Sequence, residues 1–296
     1  MRLGIVAEDE DVAKAWENRL QHHISVREVT IVKKSEHLQL VDACLIIKNN
    51  DSIYDDAASL IRRGMHCFLI SKLPTHKEQI ERLYHFSEES GVFLQLAHWI
   101  SFSPAAQWIN TKIKHPTFIH IDRRLPLSQI NAYDHAFSNL WIDDLAYCLK
   151  IMRSNVHKVE VGFSGITQPM ITQTSPQTPS SLPQLHLFIR FDNGGSALIF
   201  IGTGVHELSY KRVISDSKVH IEHDVLKSSV LVNTPDQNQH IFQETKHFLE
   251  EEPADRALSL FLKAVQTKTV PEYSIFDSLK LTRVIQQIEE RVFRMY

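Results

Sequence analysis

The chain has 296 residues, with 32 Lys and Arg against 35 Asp and Glu and a formal net charge of -3 when its 17 histidines are neutral. A chain of this length buries roughly three-quarters of the surface exposed when unfolded, so it needs no staple, and two ordinary domains fit it. The near-balanced charge excludes a broad polyanion-binding surface, and with it nucleic acid as a partner.

No apolar run is long enough to cross a bilayer, and the N-terminus has no signal-type apolar stretch of usual length. We therefore expect no membrane association and a cytoplasmic location. Cys44, Cys67 and Cys148 follow none of the zinc or disulfide spacings. Cys44 and Cys67 lie in apolar stretches and read as small buried hydrophobes, so no metal is expected.

The first part alternates strand and helix. Leu3 to Val6 forms a short strand, and Val12, Trp16 and Leu20 mark one face of the helix after it. A β-branched strand over Val26 to Val32 follows, then "VDACLII", whose continuous hydrophobicity suits a sheet covered on both faces. "SIYDDAASLIRRG" is a helix with early acids, late arginines and Gly64 as its stop.

"HCFLI" is the fourth strand. Thr75 and Glu78 have capping-box spacing before the stripe Ile80, Leu83, Tyr84 and Ser87, and Gly91 ends that helix. "VFLQLA" is the fifth strand, and Ser103 with Pro104 opens another helix. Five strands separated by helical crossovers predict an N-terminal Rossmann-like, doubly wound parallel sheet over 1–115.

Residues 116–296 have a different pattern. "TFIHIDR" is strand-like, Asn139 to Met152 carries helical spacing, and the stretch from Gly165 to Gln184 reads as an exposed loop rich in Ser, Thr, Pro and Gln. "LHLFIRF", "DNGG" and "SALIFIG" form a strong hairpin signal. Further strands are expected at "ELSYKRV", "KVHIEH" and "VLKSSVLV", and two helices close the chain. The expected class is α/β, the second domain being α+β with a predominantly antiparallel open sheet.

Four blocks, "VDACLII", "RRGMHCFLISKLP", "SGVFLQLAHWISFSPAAQWI" and "VPEYSIFDSLKLTRVIQQIEE", resemble the glucose-fructose oxidoreductase, inositol dehydrogenase and MocA (Gfo/Idh/MocA) family. The resemblance spans nearly the whole chain. It implies a cofactor, NAD or NADP, and a sugar, polyol or related hydroxy compound as small-molecule substrate. It also implies a homodimer joined through the C-terminal sheet.

A dinucleotide cradle uses G-x-G-x-x-G for a tight turn, close approach of the diphosphate and close helix packing. The matching positions are Ala7, Asp9 and Val12, amid Glu8, Asp9, Glu10 and Asp11. Acids at a helix start suit the helix dipole but oppose an anionic ligand. The second strand ends at Lys33 and Lys34 without the acid that holds an NAD ribose, which favours NADP over NAD. Asn49 and Asn50 stand at the third-strand exit.

The family's Glu-Lys-Pro signature is similar to "SKLP", which makes Ser71 and Lys72 the counterparts of its Glu and Lys; the family lysine orients substrate and supports proton transfer. Asp144 resembles the family's helical acid. Trp141 takes the place of the histidine that would accept the hydroxyl proton, Asp143 offers a second carboxylate, and His135 lies upstream. His98 and Trp99 follow the fifth strand, where a cleft is expected. Two functions follow. One is an NAD(P)-dependent oxidoreductase; the alternative is a catalytically inactive relative binding a small metabolite or protein partner.

Overall fold

The computed structural model describes residues 1–126, 130–164, 184–238, 240–249 and 252–293, without the side chains of 130–139 and 292–293. The expected loop from Gly165 to Pro183 lies outside the described residues. By contacts the chain divides into two compact units, 1–102 with 252–283 and 103–251 with 284–296.

The first unit alternates β1 (Arg2–Ala7), α1 (Glu10–Gln21), β2 (Glu28–Val32), β3 (Ala43–Ile47), α2 (Ser52–Arg62), β4 (His66–Ile70), α3 (Lys77–Ser90), β5 (Leu94–Leu96) and α4 (Trp99–Phe102). All its strand pairs are parallel, in the order β2-β1-β3-β4-β5. Leu3, Ile5 and Val6 are buried without regard to parity, as are Ala43, Cys44, Leu45 and Ile46, because helices cover both faces. Each such aliphatic side chain contributes about 1.5–3 kcal/mol by leaving water.

The second unit contains α5 (Pro104–Lys112), β6 (Phe118–Pro126), α6 (Ile130–Met152), β7 (Val156–Ser164), β8 (Gln184–Phe191) and β9 (Ser196–Val205). It continues with β10 (Ser209–Ser215), β11 (His220–Asp224), β12 (Ser229–Pro235) and β13 (Ile241–His247). Its eight strands run in the order β13-β12-β11-β10-β6-β9-β8-β7. Only the β6–β9 pair is parallel, so the sheet is predominantly antiparallel, as expected. One face buries Ile119, Ile121, Leu187, Ile189, Ile199 and Ile214, and the other carries the alternate residues.

Two helices follow, α7 (Pro253–Thr267) and α8 (Ile275–Phe293). Residues 252–283 belong to the first unit. There Phe261 stacks on Phe68 with ring centres 5.4 Å apart, and Ser274 bridges Gln95 of β5 antiparallel. Arg19 binds Asp255 at 2.6 Å and also Glu252.

Local details partly follow the expected pattern. Ser103 Oγ accepts the Ala106 amide at 3.3 Å, and Gly64 and Gly91 take φ of 78° and 62° at their helix ends. Thr75 is not the cap of α3. That helix starts at Lys77 with His76 as N-cap and no side-chain cap bond, so Glu78 stands one position short of capping-box geometry. In α1 the buried line runs through Ala13 and Leu20, while Val12 is 37% exposed.

Candidate functional site

In the first unit the turn after β1 is built by its own carboxylates. Asp9 is the N-cap of α1, with extended backbone, and its Oδ1 accepts the amides of Asp11 at 2.9 Å and Val12 at 3.1 Å. These are amides that a helix start would otherwise offer to a phosphate. Glu8, one residue earlier, pairs with Lys48 at the exit of β3, with Nζ 3.2 Å from Oε1.

Lys48 also lies 2.7 Å from Asp56 Oδ2 and donates to Ser52 Oγ at 3.2 Å; its side chain is only 9% exposed. Burial opposes its charge, but the bonds to Asp56 and Glu8 outweigh burial and raise its pKa. Ser35 donates to the other Asp56 oxygen. A chain of charges thus ties the ends of β1 and β3 to α2.

The sequence resemblance implies NAD or NADP, and this turn does not fit its diphosphate. Ala7, Asp9 and Val12 replace the glycines, and the Asp9 carboxylate already holds two amides. Lys33 is exposed beyond β2. Asn49 is exposed, and Asn50 Oδ1 accepts from the Ser52 amide at 3.1 Å and from its hydroxyl at 2.6 Å, which organises the start of α2.

Ser71 Oγ donates to the Lys72 carbonyl at 2.9 Å, and Lys72 is exposed after β4. His98 is buried, with Nδ1 2.7 Å from Ser101 Oγ and its ring 4.7 Å from that of Tyr273. Trp99 stacks on Trp16 at 6.2 Å and meets the edge of Phe68 at 6.3 Å. Two surface cavities of the first unit, about 400 and 390 Å³, are lined by none of the candidate site residues Lys33, Asn49, Asn50, Ser71, Lys72, His98 and Trp99.

In the second unit α6 places Trp141, Asp143 and Asp144 against the sheet. Trp141 is 5% exposed and packs as a core residue. His135 lies on α6 where side chains are not described. Asp144, fully buried, accepts from Arg123 Nη2 at 2.9 Å, and the Tyr210 hydroxyl donates to the same oxygen. Arg212 donates to Tyr210 and lies over the rings of Tyr147 at 4.3 Å and Tyr210 at 4.7 Å.

Burial, and next the Asp144 charge, push Asp143 up to about 6. Burial, and next Arg212, pull His223 down to about 3, which keeps it neutral. Among the described residues Asp144 Oδ2, Arg212 Nε and Nη1 and Tyr147 Oη have no hydrogen-bond partner. The cluster can therefore fix one carboxylate and hold a second whose pKa burial raises.

Sequence reasoning singled out Asp143 and Asp144 but not Arg123, Tyr210, Arg212 or His223. A signal existed. In "FIHIDRRLP" Arg123 shares the parity of Ile119 and Ile121, and in "SYKRVIS" Arg212 shares that of Ile214, so each is a cation on an apolar face.

Among the described residues no three His, Cys, Asp or Glu side chains converge to hold a metal, and no helix is long and apolar enough to cross a membrane. No family model and no curated protein matches the chain. Solved structures do.

UDP-N-acetylglucosamine 3-dehydrogenase GnnA from Acidithiobacillus ferrooxidans superposes with a TM-score of 0.79 at 14% identity, covering 97% of this chain and 96% of that one. The dehydrogenase MviM from Clostridium difficile gives 0.76 at 12% identity, covering 98% and 99%. Biliverdin reductase from Synechocystis sp. PCC 6803, solved with biliverdin and NADP+, gives 0.70 at 14% identity, covering 98% of each. The chain shares the two-domain fold of these solved dehydrogenases and reductases.

Proposed function

We propose that this chain is a catalytically inactive relative of the Gfo/Idh/MocA oxidoreductases, acting by binding a small metabolite or a protein partner rather than by hydride transfer. The observation that carries the reading is the Asp9 carboxylate on the amides of Asp11 and Val12. A diphosphate would have to displace a bound anion and then sit among Glu8, Glu10 and Asp11. Trp141 supports the same reading, because an indole has no basic site to accept a hydroxyl proton.

Native mass spectrometry of freshly purified protein, followed by mild denaturation, tests it. The expected release contains no nicotinamide dinucleotide; a stoichiometric dinucleotide would overturn the reading.

Lys72 favours a second reading, an NADP- or NAD-dependent oxidoreductase of a sugar or polyol in a cytoplasmic setting. It stands exposed after β4 where the resemblance places a substrate-orienting lysine, and Lys33 suits the extra phosphate of NADP. In that reading Lys72 orients the substrate and supports proton transfer. Polyol-dependent nicotinamide reduction lost in Lys72→Ala would establish it. In either reading we propose a homodimer through the C-terminal sheet, whose outer face carries the half-buried Phe188, Leu198 and Phe200.

A further inference from the structure

β13 ends the eight-stranded sheet and pairs with β12 from Ser229↔His247 to Pro235↔Ile241 without a register shift. Among the described residues no strand pairs with its other edge. Ile241 is 63% exposed, Phe242 65% and Leu249, just beyond, 90%. An edge of this kind normally carries a proline, a bulge or inward charge against self-pairing. β13, with the sequence IFQETKH, has no proline and no bulge; of its charges Glu244 is exposed and Lys246 is half-buried, with Nζ 4.9 Å from the Trp108 ring.

The phase of the free edge is fixed by two bonds. The Asp236 amide donates to the His240 carbonyl at 2.8 Å, and the Phe248 amide donates to the Ser228 carbonyl at 2.9 Å. Bonded and non-bonded pairs alternate along an antiparallel ladder. The even-numbered residues of β13 therefore turn their backbone groups to β12. The N–H and C=O of Ile241, Gln243, Thr245, His247 and Leu249 point away from the sheet.

We propose that two copies of this chain associate edge to edge through β13, antiparallel about a two-fold axis at Thr245, so that the two sheets continue one another. In that register Thr245 faces its own copy, Glu244 faces Lys246 twice, Phe242 faces Phe248 twice and Ile241 faces Leu249 twice. The outward backbone groups fall in bonded pairs. The Glu244–Lys246 contacts fall in non-bonded pairs, where facing side chains approach most closely.

Neighbouring registers fail on elementary grounds. An axis at Glu244 or at Lys246 puts that charge against its own copy, which is repulsive. An axis between two residues matches outward with inward backbone groups and forms no ladder. The edge is a different surface from the sheet's outer face, and the proposal does not depend on how the β1–α1 turn is used.

Light scattering on the eluting full-length chain at tens of micromolar tests it. Glu244→Lys and Lys246→Glu, each checked for native circular dichroism, are expected to halve the particle mass relative to wild type. An equimolar mixture of the two variants places two cations on one edge and two anions on the other, and is expected to recover the wild-type mass. A wild-type particle of single-chain mass, single variants of unchanged mass, or a mixture that does not recover would each overturn the proposal. A dimer held by the sheet face alone would show unchanged variants.

Discussion

Arg123 Nη2 and Asp144 Oδ1 stand 2.9 Å apart inside the second unit, and Tyr210 donates to that same carboxylate oxygen. Removing one member of a buried ion pair leaves an uncompensated charge, which costs about 3–5 kcal/mol. Asp144→Ala and Arg123→Ala are each expected to lose stability on that scale in urea unfolding. The double variant Arg123→Met with Asp144→Leu is expected to lose less than either single change. Equal, additive losses would show that the pair does not act as a unit.

Asp143 and His223 give opposite pH signatures. The folded pKa of Asp143, raised from 3.8 to about 6, lies above its unfolded value. The folded state therefore binds the proton more tightly, and this contribution is present below pH 3.8 and lost as pH rises through 6. Asp143→Asn is expected to be more stable than wild type at pH 7, by on the order of 1–3 kcal/mol for a half-buried carboxyl, with the difference gone below pH 4.

His223 is depressed from 6.5 to about 3, so its contribution is present above pH 6.5 and lost as pH falls towards 3. His223→Phe is expected to flatten the acid limb of stability against pH. Unfolding curves collected between pH 3 and 8 distinguish the two.

Lys48 separates two carboxylates of unequal exposure, Glu8 at 63% and Asp56 at 16%. Lys48→Ala strands the shielded Asp56 and is expected to cost about 1–3 kcal/mol. Glu8→Ala removes an exposed partner and is expected to cost under about 1 kcal/mol. Guanidinium-free urea denaturation, which leaves ion pairs unscreened, measures both. A larger loss for Glu8→Ala would contradict the ranking.

The elements with a local period were legible. β1 beyond Arg2, β3, and β4 beyond His66 are apolar runs, β8 and β9 alternate around a DNGG turn, and the helix stops at Gly64 and Gly91 need only one residue each. β13 was not legible, because a strand exposed on both faces carries no two-residue period. The return of residues 252–283 to the first sheet rests on contacts such as Phe68 with Phe261, which no local pattern encodes.

The candidate site divides the same way. The carboxylates of the first turn contradict a phosphate cradle within six residues of sequence, and so they could be read directly. The Arg123, Asp144, Tyr210, Arg212 and His223 cluster draws on four elements spread over a hundred residues. Of these, Asp144 alone was read from the sequence, through the resemblance; the signal for Arg123 and Arg212 was a cation in an apolar parity.

Calorimetric titration of the purified chain with NADPH, repeated with NADP+, NADH and NAD+, tests most directly whether Asp9 has taken the place of a diphosphate. No saturable heat at millimolar dinucleotide is the expected result. Micromolar, saturable binding that perturbs the Asp11 and Val12 amide resonances would contradict it.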